Sequence, residues 1–340
     1  MKHLISNVLG FVSALYIMTV TSPAFCEGLG QNVSGATQKS PNTASIGVVL
    51  IDAGDFDYPN ATFQSTFWIW SLSDSQKTDA LDNLDIRNAV NVEIITDIEE
   101  TFEASHWHLQ KIRGTFRNYW DLSEYPFDQQ RLKIYLEEGG LDSAQFAYEI
   151  DPTSKSYFHN PNLKGWKVEG MDIEIGTTQY DSNFGDPTMK GLETSSFAAA
   201  EITVELTRSN WTAFWRISSG AFISLALVLS SFLLSFKHIT HVNARFGLLG
   251  GSAFANVISL RNISSRTGSV PYITLIDQIH LIPMAAIMIG LVVTLYSLKL
   301  YNKDLKYLST CNQIDKYSLM AIIAFSVAGF IAIFGIANKA

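Results

Sequence analysis

Two histidines two residues apart are the most obvious candidate metal ligands in this sequence. His106 and His108, in HWH, project from the same face of an expected strand, at a spacing that could hold one ion. No third ligand is nearby in the sequence, so a solvent-exposed strand face is the favoured interpretation. No metal and no cofactor are therefore predicted. The sequence also contains no nucleophile elbow, phosphate loop or metalloprotease motif, so an enzyme is not expected.

A second pattern with possible chemistry lies in residues 243–265, NARFGLLGGSAFANVISLRNISS. Helical spacing places five residues on one stripe: Gly247, Gly251, Phe254, Ile258 and Arg261. Several copies of this helix around an axis would leave a wide lumen at the glycines and an apolar constriction beyond them. The alternative is that the glycines are close-packing contacts between helices. One helix cannot enclose a pore, so the pore interpretation requires an oligomer.

The elements that must position these residues fall into two parts. From residue 45 to 208, short alternating runs such as SIGVVLI, RLKIYLE and EITVELT are separated by Gly, Asp, Asn and Pro clusters. No helix-length pattern interrupts them, which predicts an all-β, immunoglobulin-like sandwich of about ten strands in residues 45–210.

The remainder, residues 211–340, is predicted to be a transmembrane domain. Three segments, 211–236, 273–298 and 317–337, are apolar and long enough to cross a bilayer. Residues 243–265 are counted as a fourth span that faces something other than lipid. The fold class is thus a sandwich followed by a four-helix transmembrane bundle.

The N-terminal segment is predicted to be an export signal. Residues 1–26 combine one lysine, an apolar run and small residues before Glu27, as in a cleaved signal peptide, with a retained anchor helix as the alternative. Residues 27–44 are rich in Gly, Ser, Asn and Thr and are predicted to be a flexible leader. If the signal is removed, Cys311 is the only cysteine left, and no intrachain disulfide can form.

Charge divides the chain sharply. Residues 27–210 hold 29 Asp and Glu against 13 Lys and Arg, whereas residues 211–340 hold 3 against 10. The acidic half argues against nucleic acid as a partner, because phosphates would be repelled. With the sandwich outside, the connections at 237–245 and 299–316 lie inside, and their excess of Lys and Arg agrees with the positive-inside rule.

This order of elements, with YPFDQQ late in the sandwich, resembles the pentameric ligand-gated ion channels, the Cys-loop receptor superfamily, and specifically their bacterial members. The resemblance covers nearly everything after residue 44. It implies a homopentamer that is multi-pass in the bacterial inner membrane, surrounded by lipid, with an extracytoplasmic N-terminal domain and a small-molecule or ion ligand. In the animal receptors a disulfide closes the corner loop. The matching positions here are Asn118 and Leu132, as expected for the bacterial variant.

The resemblance also implies which residues couple the sandwich to the pore. The Asp of the corner pairs with an Arg at the end of the last strand, here Asp128 and Arg208. An acidic residue of the first hairpin loop, Asp57 or Asp55, is the expected third member. The implied coupling residues are Asp57, Tyr125, Pro126, Phe127, Asp128, Arg208, Pro271 and Tyr272. A pair that only helps folding is the alternative.

Ion selectivity follows from the same comparison. NARFGLL resembles the Ala-Arg-x-Gly-Leu start of the pore helix in anion-selective members. Asn243, a further pore-lining residue, stands where cation-selective members usually carry Glu, so no carboxylate ring guards the inner mouth. The acidic outer domain would instead concentrate cations. Anion permeability is favoured, with a cation-selective channel as the alternative.

Family agonists bind between subunits in a box of aromatic residues from several loops. The implied ligand-binding residues are Trp68, Trp70, Glu137, Glu138, Tyr180 and Phe184. The place of the family's central Trp falls at Gly139, beside two carboxylates that would suit an amine or a divalent metal, with cation–π attraction from the aromatics. For the tryptophans, plain core packing is the favoured alternative.

Three functions therefore compete. The first is a homopentameric channel whose sandwich senses an extracytoplasmic signal. The second is a non-conducting sensor of the same fold that signals to a partner protein, although the short inner connections offer little room for docking. The third is an anchored periplasmic binding or enzymatic domain that works as a monomer.

Overall fold

The computed structural model describes residues 41–154, 163, 165–185, 194–208 and 211–337. The predicted signal peptide and residues 27–40 of the predicted leader lie outside the described residues. The first strand begins at Asn42, so the last residues assigned to the leader already belong to the sandwich.

The described part of the N-terminal region forms nine strands in two sheets, close to the ten expected. The strands are β1 (Asn42–Asp57), β2 (Thr62–Ser73), β3 (Leu84–Ile86), β4 (Ala89–Thr101), β5 (His106–Arg117), β6 (Gln129–Asp142), β7 (Phe146–Ile150), β8 (Trp166–Tyr180) and β9 (Ser195–Arg208). One sheet has the order β4-β5-β2-β1-β7 and the other β3-β6-β9-β8. Neighbouring strands are antiparallel except β1 and β7, which are parallel. The predicted two-sheet sandwich is confirmed.

Alternation along each strand explains why the two sheets pack. On β6, Leu132, Ile134 and Leu136 are at most 3% exposed, while the intervening side chains face outward. The opposing sheet supplies Phe67 and Ile69 of β2, which are fully buried in the same core. Residues with this period of two bury one face and leave the other in contact with water or a partner.

Four helices follow the sandwich: α1 (Trp211–Ser231), α2 (Ile239–Thr267), α3 (Leu275–Tyr301) and α4 (Leu308–Ala337). Three stretches, Trp211–Ser231, Leu275–Tyr301 and Leu308–Gly335, are long and apolar enough to cross a bilayer. They support a membrane protein. The α2 helix is long enough, with 29 residues, but it is not among these apolar stretches, so the predicted fourth span is not confirmed by its composition.

The low hydropathy of α2 reflects a polar buried face. Ser252 and Asn256 are buried, and both bond to neighbouring helices. The Ser224 hydroxyl of α1 donates to the Ser252 carbonyl at 2.9 Å, and the Asn256 amide donates to the His280 carbonyl of α3 at 3.1 Å. Such interhelical hydrogen bonds satisfy polar groups away from water, so α2 packs against the other helices without being apolar.

The largest differences from the hydropathy-based helix boundaries occur at the start of α4 and the end of α1. The last helix begins at Leu308, nine residues before the predicted start at 317, because the polar stretch CNQIDK is helical but not apolar. Conversely α1 ends at Ser231, five residues before residue 236. Hydropathy predicts the segment that fits the lipid bilayer, whereas α4 also extends beyond that segment into polar surroundings.

Candidate functional site

The six residues predicted to line a pore all lie on an exposed face of α2. In order along the helix they are Asn243, Gly247, Gly251, Phe254, Ile258 and Arg261. Phe254 is 69% exposed and Ile258 43%, although α2 packs against α1 and α3. The opposite face, which includes Leu249 and Ser252, is buried. One chain therefore leaves the predicted pore stripe free for another partner or for water.

The glycines of this stripe are not packing contacts within the chain. A Cβ built on Gly247 or Gly251 would meet no atom within 4 Å. Close packing within the chain occurs at other glycines: a Cβ would lie 2.6 Å from Ser259 at Gly220 and 2.9 Å from Leu249 at Gly290.

The arginine of the Ala-Arg motif is turned away from the stripe. Arg245 is fully buried, and its guanidinium donates to both carboxylate oxygens of Asp315 on α4, at 2.7 and 3.0 Å. It also lies 4.5 Å from the ring centre of Phe236. Because Asp315 neutralises Arg245, the stripe has one charged member, the exposed Arg261. The α2 segment contains no Asp or Glu.

The structure brings together the pair implied at the end of the sandwich. Arg208 Nε lies 3.0 Å from Asp128 Oδ1, as an ion pair without good hydrogen-bond geometry. The other carboxylate oxygen, Oδ2, accepts from Gln130 at 2.6 Å, and the Arg208 amide donates to the Asp128 carbonyl at 3.2 Å. Burial raises the pKa of Asp128, and the positive charge of Arg208 opposes that rise.

Aromatic rings, rather than a second carboxylate, complete the surroundings of Arg208. Its guanidinium lies 4.2 Å from the ring centre of Trp166 and 5.0 Å from that of Tyr125, and it donates to the Tyr58 hydroxyl. Burial raises the pKa of Tyr58 to about 12, so the hydroxyl stays neutral at physiological pH. Sequence reasoning missed Tyr58 and Trp166. Tyr58 could have been proposed as a coupling residue from the sequence, because it lies in the first hairpin loop beside Asp57.

The expected third member, Asp57, is engaged elsewhere. Its carboxylate accepts from the Asn60 amide nitrogens of backbone and side chain at 3.0 and 2.8 Å, which lowers its pKa. It therefore stabilises the β1–β2 turn. Asp55 is exposed with φ of 47°, in the left-handed region. The hairpin meets Arg208 through Tyr58 instead.

The loop between α2 and α3 contacts the segment just before the corner. The Leu122 amide donates to the Tyr272 hydroxyl at 2.8 Å, and the Leu275 amide donates to the Ser123 carbonyl at 2.8 Å. Pro271, next to Tyr272, is exposed. The loop predicted to receive motion from the sandwich is thus hydrogen-bonded to the sandwich.

Two further contacts join the sandwich to the helices. Phe127 of the corner lies with its ring centre 5.1 Å from Trp211 and 5.4 Å from Phe214, both at the start of α1. At the end of α2, Gly268 has φ of 74°, and a Cβ there would lie 2.8 Å from Pro59 of the β1–β2 turn. We call these contacts, together with the Arg208 surroundings and the loop at Tyr272, the junction.

Half of the implied ligand-binding residues form one cluster. The Tyr180 hydroxyl donates to both carboxylate oxygens of the buried Glu137, at 2.9 and 3.1 Å, and Arg87 Nε lies 3.3 Å from Glu137 Oε2. The Tyr180 ring centre is 5.1 Å from that of Phe184, which is 65% exposed. Phe197 joins both rings. Arg87 and Phe197 were missed by sequence reasoning.

Glu138 faces away from this cluster. It is 1% exposed, and its Oε1 accepts from the Gly140 and Leu141 amides at 3.0 and 3.3 Å. Its Oε2 is buried without a hydrogen-bond partner among the described residues. Burial raises the pKa of Glu138, and the backbone hydrogen bonds oppose the rise.

Trp68 and Trp70 lie on the outer face of the other sheet, so one chain does not bring them to Tyr180. Lys111 Nζ is 5.5 Å from the ring centre of Trp68. The Trp70 indole donates to Asp151 at 2.7 Å and covers Gly47, where a Cβ would lie 2.1 Å from its ring. Both are half-buried, so the core packing favoured from the sequence is wrong; Phe67 and Ile69 fill the core.

His106 and His108 are buried, so the exposed strand face favoured from the sequence is also wrong. They are 0% and 4% exposed on the inner face of β5, which continues from Ile112. Asp79, itself buried, lies 2.5 Å from His108 Nδ1. Burial alone would lower the pKa of His108, but hydrogen bonds to Asp97 and Asp79 raise it. The sequence separation of Asp79 and the histidines hides this cluster from local patterns.

No protein-family model and no curated protein matches this sequence.

Proposed function

We propose that this chain is a subunit of a homopentameric ligand-gated ion channel of the bacterial inner membrane. The observation that carries the proposal is the exposed stripe of α2 from Asn243 to Arg261, with open space at both glycines and two large apolar side chains beyond them. In a ring of five chains this stripe faces the axis. Phe254 and Ile258 then form the constriction, which gates by excluding water.

An uncovered sheet edge supports the oligomer. At the edge of the five-stranded sheet, β4 exposes Val92, Ile94 and Ile98 at 39 to 51% of their surface. A long apolar edge strand in a monomer invites uncontrolled association. In a closed ring the neighbouring subunit covers it, as expected for a symmetric oligomer.

The junction supports coupling between the sandwich and the pore. It ties three elements of the sandwich to the helices: the β1–β2 turn to the end of α2, the corner to the start of α1, and Leu122 and Ser123 to the α2–α3 loop. A shift of the sandwich is thereby transmitted directly to the start of α1, to the end of α2 and to the loop that follows α2.

The charges along α2 support anion permeability. The burial of Arg245 against Asp315 removes the motif arginine from the axis, so the preference rests on Arg261 and on the absence of carboxylates from α2. Measured reversal potentials under a salt gradient decide between anions and cations.

The ligand site we propose is the cluster of Tyr180, Phe184, Phe197 and Glu137, open to solvent at Phe184. Since Arg87 already balances Glu137, an aromatic or amine ligand would bind through the exposed ring faces and the Tyr180 hydroxyl. Trp68 and Trp70 contribute only if a neighbouring subunit presents its five-stranded sheet to this cluster.

Single-channel recording in planar bilayers tests the pore assignment. We expect Phe254→Ala to change conductance or gating, and Val292→Ala, on an exposed face of α3, to leave both unchanged. Water-borne cysteine reagents should modify Gly251→Cys and Ile258→Cys, but not Leu249→Cys at a buried position. Unchanged currents in Phe254→Ala, or a monomer by native mass spectrometry, would refute the proposal.

A further inference from the structure

A cluster of histidines and carboxylates lies where β5 begins, at the opposite end of that strand from the junction. His106 and His108 occupy its inner face. Asp79 follows a short 3-10 turn, Gln76–Thr78, and reaches them from the segment that leads to β3. Asp97 and Glu99 stand on β4, paired with β5.

The two imidazoles converge on one carboxylate oxygen. His108 Nδ1 is 2.5 Å and His106 Nε2 is 3.4 Å from Oδ2 of Asp79. Asp79, Asp82 and His108 form one group whose ligand atoms all lie within 4.8 Å of one another, and His106 contacts this group through Asp79. His106 Nε2 is fully buried and has no hydrogen-bond partner among the described residues. A buried nitrogen in this state normally costs stability, which calls for an explanation.

The other nitrogen of each imidazole is held by a neighbour. His108 Nε2 lies 2.6 Å from Asp97 Oδ1, and His106 Nδ1 lies 3.0 Å from the Thr101 hydroxyl. The second oxygen of Asp79 accepts from the Leu81 amide at 3.1 Å. Histidines that bind metals show this arrangement, in which the outer nitrogen is oriented by a carboxylate or another polar group.

The distances suit a small tetrahedral ion. Bonds of about 2.0–2.1 Å from zinc to nitrogen or oxygen imply ligand atoms about 3.3–3.4 Å apart. His106 Nε2 is 3.4 Å from Asp79 Oδ2 and 3.4 Å from Glu99 Oε1. The pair of His108 and Asp79 must separate by roughly 0.8–0.9 Å for an ion to replace the proton between them. The side chains of Asp82 and His106 must also turn toward the ion, because the group within 4.8 Å contains Asp82 but not His106.

Charge and access both favour a cation. Four carboxylates, those of Asp79, Asp82, Asp97 and Glu99, surround two imidazoles, and no Lys or Arg of the described chain forms an ion pair with them. A cleft of about 480 Å³, lined by three of these carboxylates and by His108, leads to the group from solvent.

We propose that His106, His108 and Asp79, with Asp82 as the fourth ligand, bind one divalent transition-metal ion of the Zn²⁺ class per subunit. Two imidazole nitrogens select zinc and its neighbours over Ca²⁺ and Mg²⁺, which prefer oxygen ligands. On binding, His108 releases the proton of Nδ1 to solvent and keeps the proton of Nε2 for Asp97. The ion joins β5 of one sheet to the segment that enters β3 of the other.

Calorimetric titration of the chelator-treated full chain in detergent with ZnCl₂ tests this site. We expect one ion per subunit, a rise in the melting midpoint with Zn²⁺, and no comparable binding of Ca²⁺. His106→Asn should abolish tight binding. Asp97→Asn removes the carboxylate that orients His108 together with its negative charge, and should weaken binding about 10–100-fold.

Matched variants separate this site from other histidines. His238 and His241, whose rings lie 5.2 Å apart at the start of α2, form another histidine pair. The variant His238→Gln/His241→Gln should retain full binding. Asp82→Asn, at an exposed position, should weaken binding and provides a second test in case His106→Asn misfolds. The proposal is overturned if wild type binds no Zn²⁺, if Ca²⁺ binds equally well, or if folded His106→Asn and Asp82→Asn both bind as tightly as wild type.

Discussion

Replacing Arg208 should destabilise the protein more than replacing its partner Asp128. The Asp128 side chain is 1% exposed and its charge is balanced by Arg208, so Arg208→Gln leaves a buried carboxylate uncompensated. That loss is worth about 3–5 kcal/mol. In Asp128→Asn, by contrast, Arg208 is 13% exposed and keeps the rings of Trp166 and Tyr125. Asp128→Asn therefore loses one charge-assisted contact, which is worth about 1.5–3 kcal/mol of stability.

An exposed pair between the same two strands provides the control. Arg131 Nε lies 3.2 Å from Glu205 Oε1, also joining β6 to β9, but the side chains are 71% and 52% exposed. Solvent screens such pairs, so Arg131→Gln should cost about 0–1 kcal/mol.

Melting midpoints of the purified full chain in detergent, followed by tryptophan fluorescence, give the order of the three variants. We expect Arg208→Gln to melt lowest, then Asp128→Asn, then Arg131→Gln close to wild type. In the double variant at Arg208 and Asp128, the melting midpoint should fall by less than the sum of the two single decreases, because removing both charges leaves neither uncompensated. If Asp128→Asn melts below Arg208→Gln, or if Arg131→Gln matches either, the burial argument is incorrect.

Two further predictions concern packing and pH. Gly220→Val should destabilise the fold by about 1–3 kcal/mol, because its Cβ would lie 2.6 Å from Ser259, and should lower the yield of folded protein on size exclusion. Gly251→Ala is the control, because its Cβ would enter open space, and it should leave the yield unchanged. Glu138 has a raised pKa, so it binds a proton more tightly when folded, and stability falls as pH rises from its ordinary pKa to the raised one. Glu138→Gln should remove this decline from melting midpoints measured against pH, and parallel curves for variant and wild type would contradict it.

The strands were predictable because their information is local. RLKIYLE and EITVELT alternate, and the structure buries the predicted face of each. The short strands β3 and β7, of three and five residues, hold too few residues to show alternation in the sequence. They are positioned by pairing with β6 and β1 instead.

The candidate sites were less accessible from sequence, because their members are far apart along the chain. Arg245 and Asp315 are separated by 70 positions, so the motif around Arg245 does not reveal that the fold neutralises its charge. Similarly, HWH alone predicts an exposed strand face, because Asp79, which contacts His108 in the fold, lies 29 positions earlier in the sequence. The pair of Asp128 and Arg208 was anticipated by resemblance alone, and its aromatic surroundings were not.

The contacts of Leu122 and Ser123 with the α2–α3 loop use main-chain atoms on the sandwich side. Any residue except proline supplies the amide at position 122, and any residue supplies the carbonyl at 123. These two hydrogen bonds should therefore persist when other side chains stand at positions 122 and 123, as long as the path of the polypeptide is kept. Chimeric proteins that graft a foreign sandwich onto these helices should assemble if the grafted corner preserves that path.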